Sequence, residues 1–175
     1  MLNDDRIKIK SPSPWVTRFA DRIPPGPVLD LACGGGRHGR YLLDRGYPVT
    51  LVDRDISKLA DLKDNAMAKV FAYDLESGSP WPFADEEFSG VVVVNYLYRP
   101  LFPHLLASLR PSGVLIYQTF AQGNEKYGRP RNPDFLLRPD ELLQEFGAAC
   151  EIIGFEQGFM PDPDRVVQSL CAVKR

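Results

Sequence analysis

Apolar positions along this chain change period repeatedly, and the changes divide it into alternating strands and helices. Residues 1–14 are polar and end in Ser-Pro-Ser-Pro, which predicts an extended lead-in. Trp15, Val16, Phe19 and Ala20 then keep helical spacing until Ile23-Pro-Pro-Gly-Pro27 breaks it. Val28-Leu-Asp-Leu-Ala32 is a short apolar run between breakers and reads as a first strand. Gly34-Gly-Gly36 follows, then a helix to Arg45 that Gly46 should stop. Pro48–Val52 is a second strand, ending at Asp53. The stripe Ile56, Leu59 and Ala60 predicts a helix that Asp55 would cap.

Ala68–Ala72 is a third strand, ending near Asp74. Val91–Val94 is β-branched throughout with no polar alternation, the pattern of a strand covered on both faces. Leu101, Leu105, Leu106 and Leu109 make another helical stripe, closed by Pro111-Ser-Gly113, and Gly113–Tyr117 is a fifth strand. Pro139 opens a last helix with Asp140 and Glu141 in its first turn, where acids suit the helix dipole. Two strands, around Cys150–Gly158 and Val166–Val173, complete the pattern.

Strands alternating with helices predict an α/β fold with a doubly wound, mostly parallel sheet, because parallel strands need crossovers. The last two strands are separated by too few residues for a crossover, so they should form an antiparallel hairpin. The length of 175 residues fits a single domain spanning 1–175. Residues 118–138 read as a long loop at the C-terminal edge of the sheet, where ligands bind in such folds. It carries Lys126, Tyr127, Arg129, Arg131 and Arg138. The expectation is a lid whose cations favour an anionic or oxyanion acceptor.

Composition narrows the classes. Hydrophobic residues at 44% and charged residues at 25% exclude a disordered or fibrous chain. A net charge of -2 gives no overall attraction to nucleic acid or to an anionic membrane. Cys33, Cys150 and Cys171 are odd in number and far apart, which predicts packing residues rather than disulfides or a zinc site. His38 and His104 lack a matching ligand set, so no metal is expected. The start, MLNDDRIKIK, has no apolar signal core, and no run reaches the roughly 18–20 apolar residues of a membrane span. A cytoplasmic protein is expected.

The chemistry concentrates at the first strand-to-helix turn. Gly34, Gly36 and Gly39 satisfy G-x-G-x-x-G, a weak signal by itself. Glycines there let the backbone turn sharply and let a ligand approach a helix N-terminus. Asp30 lies four residues before Gly34. Its carboxylate would repel a pyrophosphate and attract the ammonium of an amino-acid ligand. Asp53 suits ribose hydroxyls of either a nicotinamide cofactor or an adenosyl one. Asp74 is placed to accept from an adenine amino group.

Val28-Leu-Asp-Leu-Ala-Cys-Gly-Gly-Gly-Arg37, Val52-Asp53 and Asp74-Leu75, in this order, resemble the class I S-adenosylmethionine-dependent methyltransferases. Gly36-Arg37 and Tyr41-Leu42 are most similar to the tellurite-resistance-type and related small-molecule branch. The resemblance covers about residues 26–120. It implies a Rossmann-like sheet of order 3-2-1-4-5-7-6. It also implies that Asp30 and the backbone of Ala32, Cys33 and Gly34, with Gly36, hold the methionine part of the cofactor. Asp53, with Arg54 beside it, would hold the ribose, Asp74 and Leu75 the adenine, and Asn95 and Tyr96 the entrance to the transfer site. Arg37 would meet the cofactor carboxylate or face solvent. Trp15 and Tyr96 would line the pocket or belong to the core.

Methyl transfer from a sulfonium needs alignment above all, so neither a metal nor a covalent nucleophile is required. Asn95-Tyr-Leu-Tyr-Arg-Pro100 lacks the Asn/Asp-Pro-Pro-aromatic tetrapeptide that resembles adenine amino-methylases. A small-molecule acceptor is expected, with Tyr98, Tyr127, Arg129 and Arg131 as its candidate contacts. The alternatives are an RNA or protein methyltransferase and a nicotinamide-dependent oxidoreductase.

Overall fold

A computed structural model describes residues 11–175. Most of the expected lead-in, residues 1–10, lies outside the described residues. Chain order gives α1 (Pro14–Phe19), β1 (Val28–Leu31), α2 (Arg37–Asp44), β2 (Val49–Asp53), β3 (Ala68–Ala72) and β4 (Phe88–Val94). Then follow α3 (Phe102–Ser108), β5 (Leu109–Phe120), α4 (Glu141–Phe146), β6 (Cys150–Met160) and β7 (Arg165–Lys174). Pro14 is thus already helical: Ser13 caps α1, its hydroxyl accepting from Trp15 N–H, and proline suits the first turn.

The seven strands form one sheet of order β3-β2-β1-β4-β5-β7-β6. β3, β2, β1, β4 and β5 run parallel to their neighbours, whereas β7 is antiparallel to both β5 and β6. The expected order and hairpin are both present. β4 shows why its valines needed no polar alternation. Val91 and Val93 pack with α3 and α4 residues such as Leu105 and Phe146, while Val92 and Val94 face Trp15 and Leu42 of α1 and α2. Successive side chains point to opposite faces, and both faces are dry.

Three local expectations change. The Ile56–Ala60 stripe forms 3-10 turns over Ser57–Leu62, not an α-helix. Asp53 and Asp55 each accept a backbone N–H two residues on, the local bonding that competes with helix entry. Leu109 belongs to β5 rather than to the helix before it. It pairs with Phe88, and the register jumps to Gly90–Val114 across Pro111-Ser-Gly113, so those breakers make an irregularity inside the strand. The 118–138 loop is also less open than expected. β5 continues to Phe120, short 3-10 turns occupy Asn124–Lys126 and Pro133–Phe135, and Ala121 bridges Leu137. No helix among the described residues is long and apolar enough to cross a membrane.

Candidate functional site

The C-terminal ends of β1 and β2 lie side by side at the glycine turn, and each contributes an aspartate that bonds to backbone there. Gly34 has φ +54° and Gly36 φ +72°, a left-handed geometry that glycine adopts at little cost. A Cβ on Gly36 would stand 2.7 Å from Leu59 Cδ2, so this position requires glycine for packing as well. The turn is tied to β2 by Asp53, whose Oδ2 accepts Gly34 N–H at 2.8 Å while Oδ1 accepts Asp55 N–H at 3.0 Å.

Asp30 plays a different part from the one expected. Its carboxylate is 1% exposed and accepts Gly39 N–H at 2.7 Å, beneath the turn. Burial pushes its pKa up to about 7, against the lowering influence of the Gly39 bond and of Arg37. It organises the first turn of α2 and does not line the cleft. The reason is steric: β1 alternates, and the face that receives Asp30 is the one that α2 covers.

A cavity of about 580 Å³ opens beside the turn, lined by Ala32, Asp53, Arg54, Tyr73, Asp74, Leu75, Glu76, Tyr96 and Phe135. That volume lies within the range of small-molecule sites. Asp53, Arg54, Asp74, Leu75, Ala32 and Tyr96 are therefore brought together. Tyr96 Oη is buried, and burial raises its pKa, with the Glu76 carboxylate adding to the rise.

A second cavity of about 520 Å³ is lined by residues from three directions. Ser11–Pro14 come from the N-terminal side, Arg37 and Asn95 from the sheet edge, and Tyr127, Gly128 and Arg129 from the long loop. Arg165 of β7 also lines it, and Gln118 is at its floor. Arg37 donates to Ser11 O at 3.3 Å, and its pKa is lowered by burial and then by the nearby charge of Arg165. Gln118 is pinned by Ser13 and Ser169, and Ser13 N–H donates to His38 Nε2 at 3.2 Å. Burial and Arg37 hold the His38 pKa down to about 3, so this imidazole is neutral. Asn95 lines this second cavity and Tyr96 the first, so two consecutive residues just after β4 face different spaces.

Several expected contacts fall elsewhere. Tyr98 packs against the apolar core and lines neither cavity, and Arg131 is exposed away from both. Arg138 is paired with Glu141 at 3.1 Å rather than facing a ligand. Cys33 is buried under the turn, and Cys150 and Cys171 are buried free thiols. Trp15 is core, its indole N–H donating to Leu170 O. The pattern gave no warning of Arg165, Gln118 or Phe135, which arrive on β7, on the end of β5 and on a 3-10 turn. Glu141 is the largest surprise. Its side chain is 1% exposed and accepts from Arg99 at 2.6 and 3.0 Å and from Arg138 N–H at 2.7 Å. Those donors outweigh its burial and hold its pKa at about 2.

The glycine turn, strand-end acids and reversed β7 together define a class I S-adenosylmethionine-dependent methyltransferase fold. Residues 28–113 match the family described as "Methyltransferase domain". The chain is 37% identical to the uncharacterized methyltransferase YodH of Bacillus subtilis over 111 residues, 58% of this chain and 46% of YodH. It is 32% identical to the probable S-adenosyl-L-methionine-dependent methyltransferase TehB of Haemophilus influenzae over 54% of this chain and 35% of TehB. The crystal structure of TehB from that organism superposes with a TM-score of 0.73 at 20% identity, covering 91% of this chain and 61% of TehB. A Burkholderia thailandensis 1,6-didemethyltoxoflavin-N1-methyltransferase, solved with S-adenosylhomocysteine, gives a TM-score of 0.68 at 20% identity over 91% of this chain and 76% of that one. The chain spans about half the length of the curated relatives that it matches.

Proposed function

We propose that this chain is a cytoplasmic S-adenosylmethionine-dependent methyltransferase whose acceptor is a small molecule, with nucleic acid outside its range. The observation that carries the reading is a pair of cavities of different character, one lined by Asn95 and the other by the next residue, Tyr96. The first has carboxylates that can accept from hydroxyls and amino groups, the apolar surfaces of Leu75 and Phe135 and a buried phenol. These groups fit an adenosyl group. The second has Arg37, Arg129 and Arg165 at its wall beside Asp162 and Asp164, a mixed lining with one cation in excess, which suits a polar acceptor with some anionic character.

Asp53 would hold the ribose, Asp74 and Leu75 the adenine, and the backbone from Ala32 to Gly34 the amino-acid portion. S-adenosylmethionine supplies an activated methyl group on a positively charged sulfur when bound. The chain contributes alignment: Asn95 and Tyr96 would stand where the two ligands meet, and the loop bearing Tyr127 and Arg129 walls the acceptor side. Orientation of this kind is worth up to about 7–11 kcal/mol in well-aligned reactions. Asp30 holds the turn from beneath and places one acid behind the cationic ligand.

Thermal denaturation with S-adenosylmethionine, S-adenosylhomocysteine and NAD tests the reading. A ligand at a hundred times its Kd adds about 2.7 kcal/mol. For a chain of this size that raises Tm by about 5–10 °C. Stabilisation by both adenosyl ligands and not by NAD is expected; stabilisation by NAD alone overturns the assignment.

A further inference from the structure

We propose that Phe135 forms an aromatic wall of the adenosyl cavity and that Arg99, anchored by Glu141, positions it there. The inference rests on the cofactor reading above and adds a residue that strand-end motifs do not contain. Phe135 is 47% exposed, an unfavourable state for a large apolar side chain, yet it lines the same cavity as Asp53, Asp74 and Tyr96. It arrives from far along the chain, on the 3-10 turn Pro133–Phe135.

The turn is held on both sides of that residue. Arg99 donates from Nη1 to Asp134 O at 2.8 Å and from Nη2 to Leu136 O at 3.0 Å, the carbonyls flanking Phe135. The same guanidinium grips the buried Glu141 carboxylate through Nε and Nη2. Glu141 also accepts from the backbone and side chain of Arg138. A buried, charge-assisted cluster of this kind is geometrically specific. It fixes the backbone on either side of an otherwise solvent-facing ring. Only occupation of the cavity by a flat apolar surface would remove that ring from water. An adenine base has such a surface; the carboxylates of Asp53 and Asp74 do not provide it.

Calorimetry with S-adenosylhomocysteine, scored on chains whose thermal unfolding remains cooperative, reads the result. Phe135→Ala should weaken binding by about ten-fold, the scale of one base–aromatic contact, and Phe135→Trp should restore it. Removing Arg99 alone would strand a buried carboxylate, so the paired change Arg99→Met with Glu141→Met is used. It should lose a similar factor, and adding Phe135→Ala to it should cost little more, because both act on one contact. Unchanged affinity in Phe135→Ala, with wild type binding, overturns the inference alone. Strictly multiplicative losses overturn the positioning role of Arg99. Wild type that fails to bind S-adenosylhomocysteine overturns the cofactor reading and this inference together.

Discussion

Replacing Asp53 by alanine removes two separable things: the tie that holds the glycine turn and the carboxylate facing the cavity. The tie consists of the bonds from Gly34 N–H at 2.8 Å and Asp55 N–H at 3.0 Å. Both are partly solvated, so their loss should cost about 1–2 kcal/mol of stability. That lowers Tm by about 2–8 °C in a chain of this size. The ligand side should cost more. Charge-assisted bonds to ribose hydroxyls are worth about 1.5–3 kcal/mol. Affinity for S-adenosylhomocysteine should therefore fall roughly ten- to 150-fold. Asp53→Asn separates the effects, because the amide oxygen keeps one backbone acceptor and loses the charge. It should retain most of the stability and little of the affinity. Isothermal titration calorimetry measures the binding and differential scanning calorimetry the stability. Asp53→Ala binding within two-fold of wild type would refute the reasoning and take Asp53 out of the site.

Two further outcomes follow from the same geometry. Gly36→Ala combines a left-handed backbone with a Cβ 2.7 Å from Leu59 Cδ2, so it should cost about 2–4 kcal/mol, whereas Gly35→Ala, with nothing within 4 Å, should be mild; equal denaturation midpoints for the two would contradict this. The Glu141 pKa is depressed to about 2 from an ordinary 4.5, so its stabilisation is complete above pH 4.5 and is lost as pH falls from there toward 2. Acid denaturation of wild type should show that extra loss, on the order of 2–3 kcal/mol, and Glu141→Gln should lack it across the same window.

The order of elements and the grouping of Asp53, Asp74 and Leu75 around one cavity were legible because both depend on local chemistry. A β-branched run such as Val91–Val94 can only be a doubly covered strand, and a G-x-G-x-x-G turn after a strand brings bare backbone to a helix N-terminus. Asp53 and Asp74 stand at strand ends, and parallel strands align their ends on one edge. The connection between the last two strands was too short for anything but a hairpin. All of this is encoded within a few residues of each position, so a one-dimensional pattern suffices.

Which loop residues line the second cavity was decided by tertiary structure alone. Arg129 and Tyr127 reached a cavity while Arg131 and Tyr98 did not, although all four carry suitable side chains. Nothing in local spacing says which side of a loop faces the protein. Asp30 shows the same limit from within a motif: its position in the chain was informative, but the pleat of β1 and the covering helix turned its carboxylate beneath the turn. Glu141 looked like a helix-dipole acid and proved to be the buried anchor of Arg99, 42 positions away in the chain. Long-range pairing of this kind depends on how the layers pack. A sequence determines that packing only as a whole, and no short segment of it carries the answer.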